Sequence, residues 1–257
     1  MRSSPDPTDP ERPTPRNNWA TPISAIRTST VPEGALNLNM EGRQVTGPLQ
    51  GFGQLWKKTY RVRLSGSKKD PIEVMQIWKQ NFSRYQPPNN HFYFSVGGTN
   101  PGEIVFIDTT LPTLPGTPGV IPLASGVLIL YEDETSFTVA TPEGHPESGW
   151  NTFSTFEEDG VTVAQIQGIA RASDPIFEFG LRVMGGAKMQ EGTWIHVLTM
   201  LANDLGVSGN VTMNKDLLDP TLNWKAAGNI WKNAGLRTMA YKVTAPVRWI
   251  GRKLFAR

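Results

Sequence analysis

The chain has 257 residues, 38% of them hydrophobic, with 25 Gly, 21 Pro, no Cys and a formal charge of +2. That length suits one large domain, or one ordinary domain with tails. The missing cysteines exclude a disulfide framework, thiol catalysis and a zinc–thiolate site. No apolar run approaches the roughly 20 residues that cross a bilayer, and the start MRSSPDPTDPERPTPRNNW lacks the apolar core of a secretory signal. These features fit a cytoplasmic protein. Charge is uneven along the chain: from Thr221 onward there are eight basic and no acidic residues, while the rest, with 17 basic and 23 acidic, is net −6. An acidic body with a basic tail points to different partners at the two ends.

Residues 1–45 are rich in Pro, Thr and Ser and read as a disordered leader, too polar to offset the entropy of ordering. Within it, Trp19, Ile23 and Ile26 offer a small apolar set for docking. The folded domain is expected over residues 46–210. Leu55–Leu64 suits a first strand. Asp70-Pro71-Ile72-Glu73 starts a short helix, with Asp as N-cap, Pro at the first position and Glu three residues after the cap. That helix shows an apolar face of Val74, Met75, Trp78 and Phe82 and ends before Pro87-Pro88. His91–Val96 and Glu103–Thr109 read as two more strands, and the proline-dense stretch 111–122 as a loop or a sheet edge.

Four strands follow, at Leu123–Tyr131, Ser136–Thr141, Gly149–Phe156 and Val161–Ala172, separated by short acidic or Gly/Pro turns. Asp174–Leu205 then has helical spacing, with Ser173-Asp174-Pro175 as its start and a break at Gly185-Gly186. Trp194, Val197, Leu198, Leu201 and Leu205 form its core-facing stripe, and Gly206 its C-cap. One face of an antiparallel sheet must be buried, and this helix is the available lid. The expected class is therefore α+β, a curved antiparallel sheet of about seven strands wrapped on a long C-terminal helix. In the last strand Thr162, Ala164, Ile166, Gly168 and Ala170 share one face, mostly of small residues that leave room beside the helix. Ala164, Ile166, Gly168, Phe153, Phe177, Trp194 and Val197 are the candidate ligand-binding residues.

Residues 211–257 read as a basic helical extension. Trp224–Val243 has helical spacing. After Pro246 a second segment groups Val247, Ile250 and Leu254, with basic residues around the other side. Trp231, Arg248, Trp249, Ile250, Arg252, Lys253, Leu254 and Phe255 are the candidate membrane residues, since cations beside an apolar stripe fit an anionic interface. This segment either lies on such a surface, at the inner membrane face, or packs on the body with its charges solvated. The interleaved apolar side chains argue against nucleic acid.

The order of a strand, a helix, six strands and a long helix resembles the helix-grip fold. That group includes steroidogenic-acute-regulatory-type lipid-transfer domains, birch-pollen-allergen-like proteins and aromatic polyketide cyclases. Locally, Thr138-Val139-Ala140-Thr141-Pro142-Glu143-Gly144-His145-Pro146-Glu147-Ser148-Gly149 resembles a bacterial domain family marked by a Gly-Thr-Leu-Pro-Gly-His-Pro-Glu segment between two strands. Arg171-Ala172-Ser173-Asp174-Pro175 is similar in kind to that family's entry into the long helix. Pro142-Glu143 and Trp150-Asn151 depart from the family pattern, so the role of its paired glutamates is not carried over. The resemblance implies an apolar cavity between sheet and helix.

His145 and Glu147 are the candidate catalytic residues. An imidazole beside a carboxylate is suited to acid–base work, and the alternative is a Gly-His-Pro turn whose ring bonds backbone. His91 and His196 read as a turn residue and a boundary residue. Three scattered histidines without cysteine give no metal site, and no dinucleotide or phosphate-loop motif occurs, so no cofactor is expected. The first functional reading is a non-enzymatic binding protein for a hydrophobic small molecule or lipid. The alternatives are a cyclase or isomerase on the same fold, or a structural or membrane-adaptor protein with a filled core.

Overall fold

The computed structural model describes residues 18–28, 35–94, 99–112 and 119–245. Among them, nine strands make one antiparallel sheet: β1 (Val45–Thr46), β2 (Leu55–Arg63), β3 (Asn90–Phe94), β4 (Ile104–Pro112), β5 (Gly119–Glu132), β6 (Ser136–Pro142), β7 (Glu147–Glu158), β8 (Val161–Ala172) and β9 (Val211–Asp219). Their order is β3-β4-β5-β6-β7-β8-β2-β9, with β1 beside β6. The helices are α1 (Ala35–Met40), α2 (Pro71–Asn81), α3 (Pro175–Arg182), α4 (Gly186–Asp204) and α5 (Ala234–Val243). The curved sheet closes on α4, the helix-grip arrangement.

Local chemistry sets the element ends. Asp70 Oδ1 accepts the Glu73 N–H at 2.8 Å, and Glu73 Oε2 accepts the Asp70 N–H at 3.1 Å, a reciprocal cap for α2. Asp159 and Gly160, at φ 51° and 71°, make the tight turn between β7 and β8. Gly185, at φ 83°, separates α3 from α4, so the predicted long helix is two helices meeting at a residue that tolerates this backbone.

The main core lies between the concave sheet face and the helices α2 and α4. Tyr60 and Val62 of β2, Trp78 of α2, Phe153 of β7, Ile166 of β8 and the α4 stripe Val197, Leu198 and Leu201 are all buried there. The alternation in β4 and β5 then sends Ile104, Phe106 and Leu128 to the opposite face, where Ile26 and Met40 cover them. This explains the unbroken burial of residues 123–129 in β5, whose two faces are both covered.

Three expectations change here. The expected disordered leader runs to residue 45, but Ile26 and Met40 are both 0% exposed and Trp19 bridges to Tyr131, so its later part packs on the sheet. Few apolar residues suffice, because β4 and β5 offer a ready apolar face. The domain was ended at 210 with a helical extension after it, but Val211–Asp219 is a strand, paired along β2 from Val62 to Leu55. Its side chains are mostly exposed, so it shows little hydrophobic pattern; the free edge of β2 decides its conformation. Trp224–Val243 is a 3-10 helix, Trp224–Lys232, followed by α5, because Asn233 caps a new helix between them.

Within the proline-dense stretch, Pro122 lies in β5 opposite Thr110 of β4. Pairing of β5 with β6 begins only at Leu128, so the missing N–H of Pro122 falls on an edge. Part of that edge is closed by side chains: the Ala124 N–H donates to Thr238 Oγ1 of α5 at 3.2 Å, and Asn39 Nδ2 of α1 donates to the Ala124 carbonyl at 2.7 Å.

Candidate functional site

Between the concave sheet face and α4 the core is incomplete, and two adjoining cavities remain. One, of about 240 Å³, sets Lys58 and Tyr60 of β2 and Gln190 and Glu191 of α4 among apolar side chains such as Trp56 and Trp194. The other, of about 160 Å³, is lined mainly by aromatic and aliphatic side chains. Glu147, Asn151, Leu181, Gln190 and Trp194 border both, so they are two lobes with a common wall. Together they reach the lower end of the roughly 300–1,000 Å³ range of small-molecule pockets.

The apolar lobe is built from rings packed both face to face and edge to face. Phe137 of β6 and Phe153 of β7 stack at 4.5 Å, and Phe153 meets Phe82 at 5.2 Å and Trp194 at 5.6 Å. Phe92 and Phe94 of β3 add to the same wall. Ser125 of β5 also lines this lobe, with a buried hydroxyl that has no hydrogen-bond partner.

The polar lobe follows from alternation on β2, which turns Trp56, Lys58 and Tyr60 to one side. Gly168 lies between Lys58 and Asn151 in the β2–β8–β7 register, and a Cβ there would collide with the Asn151 amide, so the missing side chain makes room. A hydrogen-bonded chain crosses the lobe: Lys58 Nζ donates to Gln190 Oε1 at 2.8 Å, and Gln190 Nε2 donates to Glu147 Oε2. Lys58 and Lys215 also flank Glu191, at 3.5 and 3.4 Å. Burial raises the Glu147 carboxyl above the usual carboxylate range, against the opposing pull of Lys58 and Gln190. The Tyr60 hydroxyl is buried without a partner, and burial, then Glu191 and Glu147, hold it firmly in its protonated form.

His145 sits in the β6–β7 turn with Nδ1 held at the Glu147 backbone, 3.1 Å from N and 3.0 Å from O. Burial depresses its pKa to about 4 and the Glu147 backbone contact opposes this, so the ring is neutral at pH 7. It thus bonds the backbone of its turn and at the same time lines the apolar lobe. The two segments singled out in the sequence adjoin: Glu147 faces Ala172 across β7 and β8, and the Ser173 hydroxyl donates to the His145 carbonyl.

The structure sorts the candidate ligand-binding residues. Gly168 borders the polar lobe, Phe153 the apolar lobe and Trp194 both. Ala164, Ile166 and Val197 are fully buried in the packed core and line neither, because α2 and α4 already fill the space above them. Phe177 belongs to a separate cluster with Leu123, Ala172 and Ala234, under the joint of α3 and α5. Of the candidate membrane residues, Trp231 is 86% exposed, whereas Arg248, Trp249, Ile250, Arg252, Lys253, Leu254 and Phe255 lie outside the described residues.

Lys58, Tyr60, Gln190, Glu191 and Ser125 were not found by sequence reasoning. A signal existed for four of them. Lys58 alternates with Trp56 and Tyr60 on an inward face, and Gln190 and Glu191 precede Trp194 by four and three residues, extending the stripe of α4 with polar groups.

No family model matches this chain, and no curated protein does. The resemblance of segment 138–149 to a bacterial family therefore has no family match behind it. Among solved structures the chain is similar to protein Ms6760 from Mycobacterium smegmatis, at 17% identity over 63% of this chain and 96% of that one, with a TM-score of 0.39. It is also similar to the di-domain ARO/CYC StfQ from the steffimycin biosynthetic pathway, at 12% identity, 59% of this chain, half of that one and a TM-score of 0.43. A third is ginseng major latex-like protein 151 from Panax ginseng, at 11% identity, 59% and 98% coverage and a TM-score of 0.39.

Proposed function

We propose that the protein binds an apolar small molecule in the two-lobed cavity between the concave face of the sheet and α4. The observation that carries this reading is the ring-lined lobe of about 160 Å³, left open beside an otherwise packed core. A preformed, mainly apolar space with a few polar groups is the usual form of a small-molecule site. Titration with 2-ethylnaphthalene, followed by tryptophan emission, tests it. Saturable quenching is expected because Trp194 borders both lobes; an emission that never changes would overturn the reading.

Chemistry on the bound molecule is favoured by one observation: the Glu147 carboxyl, raised by burial, stands where the lobes meet, as a general acid must. Attachment to an anionic membrane through the basic tail is favoured by Trp231 and Trp224, 86% and 71% exposed just ahead of α5. Among the described residues no helix is long and apolar enough to cross a membrane.

A further inference from the structure

The polar lobe holds a group whose chemistry the packing leaves unanswered. Tyr60 is 1% exposed, belongs to the main core and lines the polar lobe, and its buried hydroxyl has no hydrogen-bond partner. Buried hydroxyls are nearly always bonded, and this one, on a residue that lines the lobe, has a donor to offer a ligand atom there. We propose that the polar lobe receives a neutral oxygen of the bound molecule, a ketone or ester carbonyl or a hydroxyl, with the Tyr60 hydroxyl as the donor. This rests on the cavity reading above and adds the ligand's polar end to it.

The charges around Tyr60 select the class. Lys58 is bonded to Gln190 and Glu191, and Lys215 to Glu191, so the two lysines share one carboxylate partner. An incoming carboxylate or phosphate would be repelled by Glu191 and would have to compete with it for Lys58 and Lys215. An incoming ammonium would meet Lys58 and a Glu147 carboxyl that burial biases toward its neutral form. A neutral acceptor avoids both penalties and completes the hydrogen bonding of Tyr60.

The shape agrees with an apolar body carrying one polar end. Rings line much of the apolar lobe, and Trp194 borders both lobes. In the shared wall Gln190 of α4 donates to Glu147 of β7, so a molecule reaching from the apolar lobe into the polar one has to part or pass this bond, with its oxygen on the Tyr60 side.

Three naphthalene probes of similar body separate the cases: 2-acetylnaphthalene, 2-ethylnaphthalene and 2-naphthoate, titrated against the full chain by tryptophan emission. The ketone is expected to bind at least tenfold tighter than the hydrocarbon and the carboxylate. In Tyr60→Phe that preference should shrink below threefold, with 2-ethylnaphthalene affinity unchanged within twofold. The carbonyl stretch of bound 2-acetylnaphthalene gives a readout that needs no variant: a shift to lower wavenumber than in hexane is expected. Equal binding of all three probes, a preference surviving in Tyr60→Phe, or an unshifted stretch overturns the Tyr60 assignment and leaves the cavity reading standing. Failure of all three to bind overturns the cavity reading, and this inference with it.

Discussion

Asn233 joins two helix starts: its Nδ2 donates to Asp174 Oδ2 at 2.8 Å while its Oδ1 accepts the Leu236 N–H at 2.9 Å. Asp174 in turn accepts the Ile176 and Phe177 N–H groups at 2.8 and 3.0 Å, so α3 and α5 are capped by one buried pair. The corner that leads from β8 toward α4 is thereby tied to the C-terminal helix. Asn233→Asp keeps the cap oxygen of α5 but sets a second carboxyl against Asp174. At pH 7 this should cost at least about 2 kcal/mol, because a buried donor becomes a repelling acceptor. Urea unfolding at pH 7 and pH 5 checks it: the deficit should shrink at the lower pH, where a protonated acid again donates. A variant as stable as the parent at pH 7 would contradict the buried pairing.

Ser125 offers a way to fill the cavity. Its hydroxyl is buried without a partner in the apolar lobe, a situation that costs about 1–3 kcal/mol. Ser125→Leu removes that hydroxyl and occupies open space, so stability should hold or rise by up to about 1 kcal/mol. Affinity for 2-ethylnaphthalene should fall at least tenfold. Loss of stability with unchanged probe binding would mean that the lobe is not the binding space. Ala164→Trp is no substitute, since Ala164 is packed on all sides and its enlargement would strain the core.

Acidification should weaken the fold through His145. The imidazole pKa drops from 6.5 to about 4 on folding, so between those values the unfolded chain binds the extra proton. Its stabilising effect is complete above pH 6.5 and is lost as pH falls toward 4, by up to about 3 kcal/mol. Glu147 acts in the opposite sense, because a raised carboxyl favours the folded state on protonation. Comparing urea midpoints of the parent and His145→Asn from pH 7 to pH 4 isolates the imidazole. The parent should lose more stability than the variant over that range; parallel curves would exclude the histidine as the cause.

Membrane attachment is tested by shortening the chain after Ala245. An earlier cut, before the 3-10 helix, would remove α5, whose Thr238 bonds the edge of β5 and whose Ala234 is buried. The full chain should float with vesicles containing anionic lipid, and less so as salt rises. The chain ending at Ala245, which keeps Trp224 and Trp231, should float clearly less. Equal flotation of the two would remove the basic segment 246–257 from the account.

Hydrophobic period, caps and turns are local, and they were enough to place seven strands, the reciprocal Asp70–Glu73 cap, the break at Gly185 and the stripe of α4. Each of these is set by residues within a few positions of one another, where backbone geometry and hydrogen bonding leave little choice. The Gly-His-Pro turn was legible for the same reason: its ring bonds the backbone two residues on. The tertiary structure alone decided what lies across long separations. Val211–Asp219 becomes a strand because β2 has a free edge, and the segment around Ile26 and Met40 packs because β4 and β5 expose an apolar face. The cavity belongs to this second kind. Lys58, Glu147 and Gln190 stand far apart in the chain, and only the closing of β2 on β8, with α4 laid across them, brings an amine, a carboxyl and an amide into one hydrogen-bonded chain beside an unpartnered tyrosine.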